Sequence, residues 1–156
     1  MKESENMKYN FEREKSDYLT PHDVVFHILN KLKIDKFGID VCCSKTNIPA
    51  RHHYINGSKD GLKESWKSFD YAFCNPPFEE CKKWVIKAYN EHLQGNKSVL
   101  LIPARTETKY WHEYILNQPN IEIEFLVKGI RFINAENNEK MGVFKNALAI
   151  VYLKGR

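Results

Sequence analysis

The segment 71–102 constrains this chain more than any other. A short apolar run, Tyr71-Ala72-Phe73-Cys74, stops abruptly at Asn75-Pro76-Pro77-Phe78; apolar residues then recur at helical spacing through Cys81, Trp84, Val85 and Ala88, and a second apolar run covers 98–102. Short unbroken apolar runs suit buried strands, and the 3.6-residue period between them suits a helix over 79–93 that Gly95-Asn96 brings to an end. A strand, a crossover helix and a second strand form the unit from which parallel sheets are built, so an α/β fold is expected.

The same alternation extends in both directions. Residues 21–33 set Val24, Val25, Ile28, Leu29 and Leu32 on one helical stripe, with Thr20 the expected N-cap and Pro21 at the first helical position. A buried strand is predicted over about 37–42, within Phe37-Gly38-Ile39-Asp40-Val41-Cys42-Cys43-Ser44. Downstream, a helix is predicted over 107–117. A half-buried strand follows where Ile121, Ile123, Phe125 and Val127 alternate with acidic residues, and final strands are expected over 129–133 and 147–153. At 156 residues and 42% hydrophobic content the chain can bury one real core and is too short for two ordinary domains. We therefore expect a single Rossmann-like α/β domain over 17–156, its sheet mixed but mostly parallel and flanked by helices. Residues 1–16, dense in Lys, Glu and Asn, read as a flexible charged arm.

Chemistry concentrates at the corner after the strand at 71–74. The Asn75 side-chain oxygen and the Pro76 carbonyl can both accept hydrogen bonds from a planar amino group, and Phe78 can stack on the flat system behind it. Pro76 and Pro77 fix φ and remove two donors, so these acceptors are offered at small entropic cost. The competing reading is a strand-ending turn in which Pro-Pro only breaks the sheet and Phe78 packs in the core. In a parallel α/β sheet ligands bind beyond the carboxyl ends of the strands, and Asp40, Asp60 and Asn75 all stand near predicted strand ends, where one cleft can hold them. A carboxylate there suits hydroxyls or an ammonium. Asp40 also reads as a cap or turn-former, and Asp60-Gly61 as a plain turn.

The Asn-Pro-Pro-Phe corner resembles the catalytic loop of amino-directed methyltransferases that use S-adenosylmethionine. Around it stands an ordered series: Thr20-Pro21, Asp40-Val41-Cys42-Cys43-Ser44, Asn47, Asp60-Gly61-Leu62, Trp66, Cys74 to Phe78, and Pro103-Ala104-Arg105-Thr106-Glu107-Thr108. This series closely resembles the small phage-type DNA N6-adenine methyltransferase family over about residues 17–153. The resemblance implies direct transfer of a methyl group from S-adenosylmethionine to an adenine flipped out of double-stranded DNA, with Asn75, Pro76, Pro77 and Phe78 as the catalytic corner. It implies that Thr20 and Pro21 seat the cofactor and that Asp40, Cys42 and Ser44 lie near its methionine and ribose. It further implies that Asp60 and Gly61 approach the ribose or adenine and that Asn75 borders the cofactor as well. In place of a glycine-rich GxGxxG turn the chain has Cys42-Cys43-Ser44.

Arg105, Thr106 and Thr108, directly after the strand ending at Pro103, are candidates for phosphate contacts, with helix capping by Thr106 the competing reading. Lys128, Arg131, Lys140 and Lys145 flank a long polar loop over 134–146 that is expected either to reach DNA or to be a hairpin tip. A net charge of +4 and a pI near 8.8 permit a polyanionic partner without demanding one. Cysteines 42, 43, 74 and 81 have no CxxC spacing and His52-His53 no ligand spacing, so no metal site is expected and the thiols read as reduced and mostly buried. Trp66 and Trp84 read most simply as core or surface aromatics. No run approaches transmembrane length and the start lacks an apolar signal segment, so a cytoplasmic protein of a bacterial or phage-infected cell is expected. Two alternative functions share the corner, glutamine-N5 methylation of a protein and methylation of RNA. A non-enzymatic alternative is a DNA-binding module that has lost catalysis.

Overall fold

The computed structural model describes residues 18–127 and 129–156; the charged arm expected over 1–16, and Lys128, lie outside them. Strand β1 (Tyr18–Leu19) leads into helix α1 (His22–Leu32), followed by β2 (Phe37–Cys43), β3 (Ala50–Ile55) and β4 (Ala72–Cys74). A single 3-10 turn (Phe78–Glu80) opens directly into α2 (Cys81–Leu93), and then come β5 (Ser98–Pro103), α3 (Lys109–Tyr114), β6 (Ile121–Phe125), β7 (Ile133–Asn134) and β8 (Leu148–Leu153).

Six strands form the main sheet in the order β3-β2-β4-β5-β8-β6. Pairing is parallel from β3 through β5, and β8 runs antiparallel to both β5 and β6, so β8 alone is reversed in a mixed, mostly parallel sheet. Both faces are covered, which is why the central strands read as continuous apolar runs rather than alternating ones. Along β5, Leu100 and Ile102 face a core with Trp84, Val85 and Ala88 of α2 and Trp111 of α3, whereas Val99 and Leu101 face the other core with Val24, Val25, Ile28 and Leu29 of α1. The acidic residues of the edge strand β6 are stitched to α1: Glu122 pairs with Lys31 at 2.7 Å and Glu124 with His27 at 2.9 Å. No helix among the described residues is long and apolar enough to cross a membrane.

Four local expectations are corrected. Helix α1 begins one residue later than predicted, with Pro21 at the N-cap and no side-chain cap; Thr20 instead spends its hydroxyl on Asn75, a partner far away in sequence. The predicted helix over 107–117 contracts to Lys109–Tyr114. The strand expected over 129–133 does not join the main sheet: Gly129 has φ 122°, and the strand here is Ile133–Asn134, paired antiparallel with Leu19 and Tyr18. The loop over 134–146 is a ribbon rather than an open excursion: Asn134 N–H bonds the Glu139 carbonyl, Met141 N–H the Phe132 carbonyl and Phe144 N–H the Ile130 carbonyl, each at 2.8–2.9 Å.

Candidate active site

Since β2, β3, β4 and β5 run parallel, their carboxyl ends lie on one edge of the sheet, and the loops after them converge there. The pairing of β2 with β3 loses register between Asp40 and Cys43, an irregularity of the kind that re-aims side chains beside binding sites. A cleft opens at this edge. Thr20, Asp40, Cys42, Ser44, Asn75 and Pro77 line it, together with Tyr18, Asn47 and Asn56, which had not been singled out as site residues. Asn47 stood in the ordered series of the resemblance. Asn56 follows β3, whose sequence Ala50-Arg51-His52-His53-Tyr54-Ile55 carries too little apolar patterning to read as a strand.

The interior of this cleft is polar and incompletely satisfied. Asp40 is 3% exposed and accepts a long 3.5 Å hydrogen bond from the Cys42 amide. Burial pushes its carboxyl up to about 8, against the opposing pull of the Cys42 amide and the Cys43 thiol. Ser44 Oγ and Asn47 Nδ2 are buried and have no hydrogen-bond partner among the described residues. Buried polar atoms are rarely left orphaned, and a buried carboxyl with no ion-pair partner among the described residues is ionised most readily when a cation is placed against it. The residues therefore fit a ligand that brings both a positive charge and hydrogen-bonding oxygens. All four cysteines are buried and free, with Cys43 pushed up to about 12, Cys81 to about 11, and Cys42 and Cys74 upward by the same desolvation. Such thiols stay protonated at neutral pH and supply no nucleophile.

Next to the cleft lies a smaller recess lined by Tyr18, Asn75, Pro76 and Phe78, so Asn75 stands in the wall between the two. Its carboxamide is anchored on one arm: Nδ2 donates to Thr20 Oγ1 at 3.0 Å, and Oδ1 accepts no hydrogen bond among the described residues. Phe78 is half-buried. Its ring makes T-shaped contacts with Phe132 and Phe144 at centroid distances of 5.8 and 5.4 Å, and Phe132 in turn stacks on Tyr18 at 5.5 Å. The ribbon over 130–144 thus backs the corner with aromatic side chains. Lys45 ties the ribbon down by donating to the Ala135 carbonyl at 2.8 Å and to Asn138 Oδ1 at 2.7 Å.

Other expected site residues stand apart from the cleft. Asp60 is exposed and uses Oδ1 to accept from the Leu62 amide at 2.9 Å, the turn-forming role; its charge is felt at Cys42, but it does not line the cleft. Gly61 is buried by packing, since a Cβ there would run into the Val41 carbonyl and lie 3.0 Å from Trp84. Pro21 is buried at the start of α1 with its carbonyl bonded to the Val25 amide. On the surface, Arg105 pairs with Glu107 at 2.8 Å, Thr108 donates to the Arg105 carbonyl at 2.6 Å, and Thr106 is exposed without a side-chain bond among the described residues. Arg131 Nε donates to the Met141 carbonyl at 2.7 Å within the ribbon, while Lys140 and Lys145 are exposed.

A Rossmann-like sheet with one reversed strand, opening at its carboxyl edge into a polar cleft beside an Asn-Pro-Pro-Phe corner, places the molecule among the α/β methyltransferases. More narrowly, the sequence profile of the DNA N-6-adenine-methyltransferase (Dam) family matches residues 8–154, and the chain belongs to that family. It is similar to a DNA N-6-adenine-methyltransferase of Haemophilus phage HP1 (strain HP1c1), with 23% identity over 116 residues, 74% of this chain. That match spans 66% of the relative's own length. No solved structure matches the chain.

Proposed function

We propose that this protein methylates the N6 amino group of adenine in double-stranded DNA, with S-adenosylmethionine as methyl donor. The observation that carries the proposal is the state of Asn75: its donor arm is occupied by Thr20, and its acceptor arm is left for a planar amino group at the recess. Family membership and the phage relative support the same reading. When bound, S-adenosylmethionine supplies an electrophilic methyl group. Asp40, Ser44 and Asn47 are the residues suited to hold its charged amino-acid end, for the reason of charge and unsatisfied polarity given above.

An exocyclic amino nitrogen is a weak nucleophile because its lone pair is delocalised into the ring. Hydrogen bonds from its two N–H groups to Asn75 Oδ1 and the Pro76 carbonyl favour tetrahedral character at nitrogen as methyl transfer makes those protons acidic, and one of the two protons is then released to solvent. A base inside a duplex cannot reach this corner, so the adenine is flipped out and held between the aromatic side chains of the recess. Arg105, Thr106, Thr108, Arg131, Lys140 and Lys145 are proposed to contact the phosphates.

The test is methyl transfer from labelled S-adenosylmethionine to duplex DNA, RNA and protein, followed by nucleoside analysis. N6-methyladenine in DNA is expected; N4-methylcytosine, or label appearing only in RNA or on a protein glutamine, overturns the proposal. Asn75→Ala should lower transfer by roughly 10²–10³-fold, the usual effect of losing one preorganised polar group, while melting is little changed.

A further inference from the structure

We propose that Thr20 is a positioning residue whose hydroxyl orients the Asn75 carboxamide, so that oxygen rather than nitrogen faces the reacting amino group. The inference rests on the methylation reading above and deepens it. Asn75 needs such a device: its two arms are nearly equal in size, and a half-turn about the Cβ–Cγ axis replaces the acceptor with an NH2 group that opposes a substrate NH2, donor against donor. The Asn-Pro-Pro-Phe segment does not itself choose between the two orientations.

Thr20 makes the choice from outside the corner. It is 4% exposed, held between β1 and α1, and its Oγ1 lies 3.0 Å from Asn75 Nδ2. The position is rigid because the flanking backbone is pinned on both sides: Leu19 pairs with Ile133 in the β1–β7 ribbon, and the Pro21 carbonyl accepts from Val25 in the first turn of α1. A hydroxyl has one proton and two lone pairs. With a lone pair engaged by Asn75, its proton is left for the cleft, which Thr20 lines together with Asp40, Ser44 and Asn47. An acceptor in the cleft that takes this proton leaves Thr20 able only to accept from Asn75, which locks Nδ2 inward. Thr20 therefore belongs to both sites, and occupancy of the cleft biases the amide toward its working orientation.

Thr20→Val removes the hydroxyl at nearly constant shape, and Thr20→Ser retains it. Three quantities separate positioning from a purely structural or purely cofactor-binding role. They are the single-turnover methylation rate at saturating S-adenosylmethionine and DNA, the calorimetric affinity for S-adenosylmethionine alone, and proton exchange of the Asn75 side-chain NH2 in 15N-labelled protein, assigned by its loss in Asn75→Ala. For Thr20→Val the rate should fall about 10- to 100-fold, as for other small misplacements of a catalytic group. Cofactor affinity should stay within about threefold, the scale of one weak hydrogen bond, and the Asn75 protons should exchange faster than in the parent. Thr20→Ser should restore both the rate and the slow exchange. An unchanged rate, a defect lying wholly in cofactor affinity, or Asn75 exchange indifferent to residue 20 overturns the proposal. If Thr20→Val does not fold, slow exchange in the parent and in Thr20→Ser is still required, and fast exchange in either overturns it. A parent protein that binds S-adenosylmethionine but methylates no DNA refutes the function instead, and leaves the exchange measurement as an independent test of positioning.

Discussion

Asp40 is a carboxyl that the fold buries at a cost. Burial pushes its carboxyl up from the usual value of 3.8 to about 8. Between those values the folded chain holds a proton that the unfolded chain has released, so this group's contribution to stability falls as pH rises from about 4 to about 8. A ligand cation seated against Asp40 reverses the preference and expels that proton. Calorimetry near pH 7 in buffers of differing ionisation enthalpy should therefore register release of about one proton on S-adenosylmethionine binding, and Asp40→Asn should abolish it while flattening the pH dependence of melting. Phe78 is balanced in another way, since its ring both contacts Phe132 and Phe144 of the ribbon and lines the recess. Phe78→Ala should weaken DNA binding or methyl transfer by on the order of 1–3 kcal/mol, the worth of one stacked base. Its folding cost should fall short of the roughly 3–5 kcal/mol of a fully buried phenylalanine. Phe78→Tyr should retain activity because the ring face is kept. Normal methylation by a Phe78→Ala protein that melts far earlier would show that the side chain is only core.

At the scale of elements, the connections between strands carry as much of the site as the strands do. Gly61 illustrates this: the turn it occupies presses so closely on β2 that a Cβ would meet the Val41 carbonyl, and its own carbonyl accepts from Trp66 Nε1 at 2.7 Å. Gly61→Ala should cost roughly 1–3 kcal/mol of stability through overpacking, read by urea denaturation, with cofactor affinity largely preserved in the folded fraction. A selective loss of cofactor affinity at unchanged stability would return Gly61 to the binding role first expected of it. The ribbon over 130–144 is a second such connection. Through Phe132 and Phe144 it backs Phe78, and through Lys45 it is tied to the loop after β2, so the Asn-Pro-Pro-Phe corner and the polar cleft share one support.

For the molecule as a whole, a buried carboxyl at Asp40 and orphaned polar atoms at Ser44 and Asn47 make the ligand-free fold less stable than its two cores would allow. Ligand binding should restore that loss. At 100 times its dissociation constant, S-adenosylmethionine should stabilise the protein by about 2.7 kcal/mol through mass action, a rise of roughly 5–10 °C in Tm for a chain of this size. A melting temperature that does not move across saturating cofactor would remove S-adenosylmethionine from the proposed reaction.

Local pattern was enough to determine the parts of this protein that depend on near neighbours. Unbroken apolar runs announced β2, β4, β5 and β8, helical spacing announced α1 and α2, and Pro76-Pro77 marked where a strand must stop, because sterics and short-range periodicity act within a few residues. The same letters were silent on β3, an edge strand held by backbone pairing on one side and so in little need of apolar side chains. They offered a hairpin tip over 134–146 but not its distant partner, since Tyr18 meets Asn134 across most of the chain's length. Thr20 read both as a helix cap and as a cofactor residue, and only the strand order brings it to Asn75; Asp60 read equally as a turn-former and a ligand contact, and its carboxylate accepts within a turn. Which polar groups meet depends on pairings distant in sequence. That decision belongs to the tertiary structure, because burial and hydrogen-bond satisfaction are settled only when the whole sheet is assembled.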